Sequence, residues 1–206
     1  MSRKPVIVFE GIEGSGKSYH INKVSNYLKK KGINFIRIRE PGGSEYSEKI
    51  RKLILDKKSN FDKHTDLLLY LAARNENIIK YKKYHKKKII LIDRFTDSTI
   101  SYQHYGMGVN LNIINIINDF ILKDFKADFT FLNTVSLTNM KIRLKSRKSL
   151  NRYDKFKIDF YSNVQKGFLK LANKNKSRYK IIDSNLDINL NTEIIINTIC
   201  KIIKWT

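Results

Sequence analysis

The chain has 206 residues, 41 of them Lys or Arg against 19 Asp or Glu, giving a formal net charge of +22. At 41% hydrophobic and 11% aromatic it is too apolar for a disordered polycation and long enough to bury a sizeable core. One cysteine, Cys200, excludes an intrachain disulfide framework, and no apolar run nears the roughly 18 residues of a spanning helix, so a soluble, cytoplasmic protein without a leader is expected.

In chain order, short apolar strands alternate with helical segments, the pattern of a parallel sheet covered on both faces. Pro5–Glu10 reads as a buried strand, followed by a glycine-rich turn and a helix over Lys17–Lys31 that ends at Gly32. Ile33–Arg39 is a second strand, stopped by Glu40-Pro41-Gly42-Gly43. Helices follow at Glu45–Asp56 and Asp62–Lys82, then a very apolar strand at Lys88–Ile92 that runs into Asp93. A helix pair spans Thr96–Tyr105 and Leu111–Phe125, Ala127–Leu132 is the fourth strand and Leu137–Lys145 a helix. Lys145–Asp154 is polar and basic, without an apolar period. Tyr153–Asn173 resumes a helix, Tyr179–Ile182 is a fifth strand, and Leu190–Lys204 closes the chain as an amphipathic helix in which Cys200 reads as packing. The expectation is one α/β domain, residues 1–206, with five parallel strands flanked by helices on both faces.

Gly11-Ile12-Glu13-Gly14-Ser15-Gly16-Lys17-Ser18 fits the phosphate-loop pattern G-x-x-x-x-G-K-[ST] and stands between a strand and a helix, as that motif requires. Backbone N–H groups of such a loop, with the helix N-terminus behind them, cradle the phosphates of a nucleoside triphosphate. Lys17 would bridge the β- and γ-phosphates, and the Ser18 hydroxyl would ligate Mg²⁺. Asp93, at the end of its strand, is the expected second metal-orienting acid, directly or through water.

Three clusters point to a small acceptor. Arg39-Glu40-Pro41-Gly42-Gly43 lies at the same sheet edge as the loop. Tyr70 and Arg74 in LLLYLAAR are four apart on one helix face, so a ring that stacks a base and a forked donor project together. DRFTDSTISYQ, residues 93–103, supplies an Arg directly after the acid.

GIEGSGKS, REPGG followed by SEKIR, LLLYLAAR and DRFTDSTISYQ, in this order, resemble the thymidylate (dTMP) kinases of the bacterial kind, and the likeness runs on through ADFTFLNT and RYKIID. The resemblance implies a P-loop kinase, a homodimer, that transfers the γ-phosphoryl of Mg·ATP to dTMP. It implies that Glu13 lies near the sugar 3′-hydroxyl and that Tyr70, where Phe is more usual, stacks on thymine. Arg74 would then contact the base edge, and Arg94 would grip the acceptor phosphate together with Arg51. Ser98, Thr99 and Gln103 would lie about the acceptor, Tyr102 would crowd the 2′ position, and Glu40 would join the dTMP site through a cis bond to Pro41. Residues 143–154 resemble the lid of these kinases. Because Gly14 stands where another branch places a basic residue, the charge on the transferring phosphoryl group must be met from the lid. Arg152 is the first candidate, Arg147 the second, and Arg143 lies further back.

The cations divide unequally. Thirty-one are Lys and ten Arg, and Lys, Ile and Asn, all with A/T-rich codons, make up 81 of the 206 residues. The lysine excess therefore reads as coding bias on a solvated surface, whereas an Arg marks a place where a planar fork is needed. A nucleic-acid partner is not expected, although the Tyr81–Lys88 run mixes aromatics with cations as single-strand binders do. That module and another nucleoside monophosphate kinase are the rival readings.

Overall fold

The computed structural model describes residues 3–147 and 151–204. Strands β1 (Val6–Glu10), β2 (Phe35–Arg39), β3 (Ile89–Asp93), β4 (Phe129–Thr134) and β5 (Tyr179–Asp183) form one all-parallel sheet in the order β2-β3-β1-β4-β5. The helices are α1 (Lys17–Lys30), α2 (Glu45–Leu55), α3 (Lys63–Tyr81), α4 (Thr96–Thr99), α5 (Leu111–Leu122), α6 (Leu137–Lys145), α7 (Ile158–Lys174) and α8 (Ile188–Lys204).

Alternation along β1 shows why a central strand reads as an unbroken apolar run. Ile7 and Phe9 point into a core shared with Ile21, Val24 and Leu28 of α1 and Ile195 and Ile199 of α8. Val6 and Val8 point the other way, among Ile78 of α3, Leu122 of α5 and Phe125. With both faces covered, every position of β1 is buried; removing an aliphatic or aromatic side chain of this size from water contributes about 1.5–3 kcal/mol. A third cluster, at the sheet edge where the strands end, joins Ile12, Tyr102, Met140, Tyr153, Phe160 and Tyr161.

Strand register brings the site together. Asp93 stands opposite Phe9 on one side and Arg39 on the other, so the turns after β1, β2 and β3 are neighbours. The Glu40–Pro41 bond is cis, as expected.

Three elements depart from the sequence reading. The helix expected over Thr96–Tyr105 is one turn of α4 followed by a π-helix, Ile100–Gly106. Its wider turn lets the consecutive residues Ser101, Tyr102 and Gln103 all face inward. The helix expected from Tyr153 begins at Ile158, because Arg152–Lys155 form a separate 3₁₀ turn closed by an Asn151–Asp154 capping box. Helix α5 stops at Leu122, where Lys123 takes a left-handed φ of 53°. Lys148, Ser149 and Leu150 of the expected lid lie outside the described residues.

Candidate active site

Between β1 and α1 the phosphate loop is shaped by what glycine alone permits. At Gly11, φ is +137° and a Cβ would sit 2.1 Å from the carbonyl oxygen of Asn133, so no side chain fits. Gly14, also left-handed, gives that room to Arg143, which donates to the Gly14 carbonyl at 2.8 Å and to the Ser184 carbonyl at 2.7 Å. Arg143 therefore braces the loop from α6. Helices α2, α3, α5 and α6 each have a side chain capping their first N–H groups. Helix α1 begins on Gly16 with no side-chain cap and no acid in its first turn, which leaves its positive end to an anion.

Lys17 is buried and folded back onto the loop, donating to the carbonyls of Gly11 and Ile12, each at 2.8 Å. Burial, and then the guanidinium of Arg94, lower its pKa to about 7 despite Asp93, Glu13 and Glu10. The Ser18 hydroxyl donates to Asp93 Oδ2 at 3.4 Å. This all-oxygen pair suits a hard cation that keeps water and phosphate oxygens as its remaining ligands. Among the described residues no group of three or more His, Cys, Asp or Glu could hold a metal alone.

A cavity of about 230 Å³ opens beside the loop. Its lining includes the polar and charged side chains of Lys17, Ser18, Asp93, Arg94, Arg51 and Arg147, and those of Glu40, Tyr70, Arg74, Thr99, Tyr102 and Gln103, together with Glu13, Ser98, Asn151 and Tyr153. Arg94 holds a left-handed φ of 68°, a conformation that costs a non-glycine residue roughly 1–2 kcal/mol. Its fork donates to the Gly11 carbonyl at 3.0 Å, Ser98 Oγ at 3.3 Å and Glu13 Oε1 at 2.8 Å, and its plane lies 5.0 Å from the centre of the Tyr102 ring. Glu13 also accepts from the Tyr102 hydroxyl at 2.5 Å. Burial pushes the Glu13 carboxyl up, but Arg94, Lys17 and Tyr102 outweigh it and hold Glu13 below its ordinary value.

Other expected residues are partly committed to the protein itself. Arg74 is buried, donating from Nε to Glu40 at 2.7 Å and from Nη1 to Asn118 at 2.7 Å. Arg51 donates to the Pro41 carbonyl at 2.7 Å. Arg147 reaches the cavity while donating to Asp154 at 3.1 Å. Arg152, placed first among the lid candidates, is the catalytic candidate that does not line the cavity. Its Nη2 donates to the buried carboxylate of Asp66, 86 residues away in sequence, and its plane lies over the rings of Phe61 and Tyr153.

Two buried acids escaped the sequence reading. Glu10 accepts from the Phe95 N–H at 2.7 Å, the Ser98 N–H at 3.2 Å and the Ser98 hydroxyl at 2.6 Å, and so fixes the turn that carries Arg94. Burial and the nearby Asp97 raise it to about 7. A charged residue ending an otherwise apolar strand was the available signal. Asp66 had none, since an acid in the first turn of a helix is ordinary.

The Tyr81–Lys88 run is folded on itself. His85 is buried against Phe125 at 5.2 Å, Lys83 and Lys88 both lie over the Tyr84 ring, and Lys82 pairs with Asp124. No helix among the described residues is long and apolar enough to cross a membrane.

The family model for thymidylate kinase matches residues 9–195. Thymidylate kinase of Sulfurihydrogenibium sp. (strain YO3AOP1) is 37% identical over 196 residues, 94% of this chain and 95% of that protein. That of Vesicomyosocius okutanii subsp. Calyptogena okutanii (strain HA) is 37% identical over 203 residues, 94% and 96% of the two chains. The crystal structure of thymidylate kinase from Ehrlichia chaffeensis matches with a TM-score of 0.77 at 33% identity, covering 96% of this chain and 99% of that one. The likeness takes in the strands and helices that carry the loop as well as the loop itself, which a shared motif alone would not produce: the chain belongs to the thymidylate kinase family.

Proposed function

We propose that the chain, acting as a single kinase domain, transfers the γ-phosphoryl of Mg·ATP in line to the 5′-phosphate of dTMP, giving dTDP and ADP. The observation that carries this reading is the juxtaposition, in one cavity, of the phosphate-loop lysine with an aromatic-walled slot whose junction is bridged by Arg94. The acceptor is already an anionic oxygen, so neither a deprotonating base nor a covalent intermediate is needed, and catalysis rests on positioning and charge neutralisation. Lys17 and the first amides of α1 hold the donor phosphates. Arg94, with Arg51 lining the same cavity, grips the acceptor phosphate. Tyr70 supplies the stacking face, Thr99 and Gln103 lie beside the base, and Tyr102, fixed on Glu13, fills the space that a ribose 2′-hydroxyl would need. Ser18 and Asp93 would hold the metal, which when bound neutralises charge on the donor phosphates. Of the lid cations, Arg147 is assigned to the transferring phosphoryl group because it reaches the cavity, and Arg152 to holding the end of the lid against Asp66.

A cytoplasmic setting follows from the same family reading. A homodimer is favoured by an exposed apolar stripe on the adjacent helices α3 and α5, formed by Leu68, Ile79, Ile113, Ile116 and Phe120. The test of function is a panel of nucleoside monophosphates, with ADP release followed in the presence of Mg·ATP. Turnover dependent on dTMP and faster than with AMP or CMP is expected, and the absence of dTMP-dependent turnover overturns the assignment.

A further inference from the structure

Asp66 gathers donors from three separate parts of the chain. It lies in the first turn of α3 and is 1% exposed. Its Oδ1 accepts from Arg152 Nη2, at the end of the lid. Its Oδ2 accepts from the Tyr153 hydroxyl at 2.6 Å and from Gln103 Nε2, on the π-helix, at 3.1 Å. The Tyr153 hydroxyl has given its only proton to Asp66, so towards Gln103 Nε2 (3.5 Å) and Arg152 Nη2 (3.3 Å) its oxygen accepts.

The two ends of a glutamine amide are nearly alike in shape, and only the surrounding network decides which faces which way. Here two acceptors, Asp66 Oδ2 and the Tyr153 oxygen, face the same end of Gln103. That end must be the NH₂ group, and the carbonyl Oε1 is then the end left for the cavity that Gln103 lines. A cavity-facing acceptor discriminates between pyrimidines. Thymine carries an N–H at the ring nitrogen between its two carbonyls, whereas cytosine carries a lone pair there. The acceptor attracts the first and repels the second, and a site left with mismatched polar groups rejects its ligand strongly.

We propose that Asp66 is a specificity-positioning residue: by fixing the Gln103 amide with its oxygen towards the acceptor base it makes the site select thymine over cytosine, and through Arg152 and Tyr153 the same carboxylate ties the end of the lid to the base subsite. The inference rests on reading the cavity as a dTMP site.

Asp66→Asn is the informative change because it preserves volume. The guanidinium of Arg152 can only donate, so it draws the new carbonyl to itself and turns the new NH₂ towards Gln103. The Gln103 amide must then invert and offer its own NH₂ to the base. The experiment measures kcat and KM for dTMP and dCMP with the full-length protein, and melting temperature confirms that each variant is folded. Asp66→Asn should raise the KM for dTMP and lower the ratio of kcat/KM for dTMP to that for dCMP by about tenfold or more, with kcat/KM for dCMP rising. Asp66→Glu, which keeps an acceptor, should restore much of the ratio. In a Gln103→Leu background Asp66→Asn should no longer change it. Equal losses for both substrates, or an unchanged ratio in the folded variant, overturn the proposal. If Asp66→Asn does not fold, Gln103→Leu alone decides: a tenfold fall in the ratio supports the reading, and an unchanged ratio leaves Asp66 nothing to orient and overturns it. Loss of the kinase reading looks different, because the unaltered protein would then show no dTMP-dependent turnover.

Discussion

Glu10→Ala separates the groups that touch substrate from the buried carboxylate that aims them. In the structure Glu10 is wholly buried and takes three donors from the turn after β3, among them the backbone N–H groups of Phe95 and Ser98. Truncation leaves the Phe95 N–H without a partner, a destabilisation of roughly 1–3 kcal/mol, while the Ser98 N–H keeps its bond to the Phe95 carbonyl at 3.1 Å. It also removes the bonds that hold Arg94 at a φ of 68°, so the turn can regain roughly 1–2 kcal/mol by relaxing to an ordinary backbone conformation. Such a relaxation swings the guanidinium away from the Gly11 carbonyl and Glu13, and a displacement of about 1 Å at an acceptor-gripping group costs on the order of a hundredfold in rate. Glu10→Gln is the paired control. Its carbonyl still accepts both N–H groups, and the Ser98 hydroxyl can rotate to accept from the new NH₂. The assay is dTMP-dependent ADP release with a melting curve for each variant. The expected outcome is a kcat for Glu10→Ala about a hundredfold below that of Glu10→Gln, which stays near the parent. A folded Glu10→Ala protein whose kcat lies within about threefold of Glu10→Gln would refute the reasoning, since Arg94 would then keep its place without the carboxylate.

The lid cations give a contrast in steady-state kinetics: Arg147→Ala should lower kcat by roughly 10²–10³ with the dTMP KM little changed. Arg152→Ala instead breaks the more buried of the two ion pairs, its guanidinium being 11% exposed against 38% for that of Arg147, so its melting temperature should fall further than that of Arg147→Ala, and the opposite order in kcat would return the catalytic role to Arg152. Lys17 has a pKa lowered from 10.5 to about 7, so above pH 7 the free protein holds it mostly neutral, and phosphates arriving beside it favour the charged form. Binding of Mg·ATP at pH 8.5 should therefore take up about one proton, read by calorimetry in buffers of different ionisation enthalpy, and none at pH 6; heats independent of buffer at pH 8.5 would contradict the lowered value. Phe120→Asp, on the apolar stripe of α5, should convert the proposed dimer to a monomer in sedimentation, and a parent protein already monomeric at micromolar concentration would overturn that proposal.

What the sequence determined by itself is whatever the backbone does locally. Consecutive N–H groups of residues 11–18, a glycine forced by its own backbone angle, apolar strands and a proline turn are set by neighbours in the chain. Their residue types therefore announce them: Lys17 and Ser18 were legible from the loop motif and Asp93 from its place at the end of a strand, whereas the role of Arg94 came from the family resemblance. The central strands β1, β3 and β4 were legible too, because burial on both faces leaves a largely apolar run, and the half-exposed edge strands β2 and β5 were legible as short runs rich in β-branched and aromatic residues. Strand order and register, which make the turns after β1, β2 and β3 neighbours, belong to the sheet as a whole. The π-helix follows from packing three successive side chains inward, which no local propensity announces. The decisive case is Arg152. From sequence it is one of several lid cations, the first candidate for the transferring phosphoryl group ahead of Arg147. Only the fold brings Asp66 beside it from 86 residues away, and that long-range pair holds Arg152 off the cavity, whereas Arg147, paired with Asp154 close by in sequence, still reaches it. The tertiary structure thus settled which side chains already have partners, because burial makes partners obligatory and long-range contacts decide who they are.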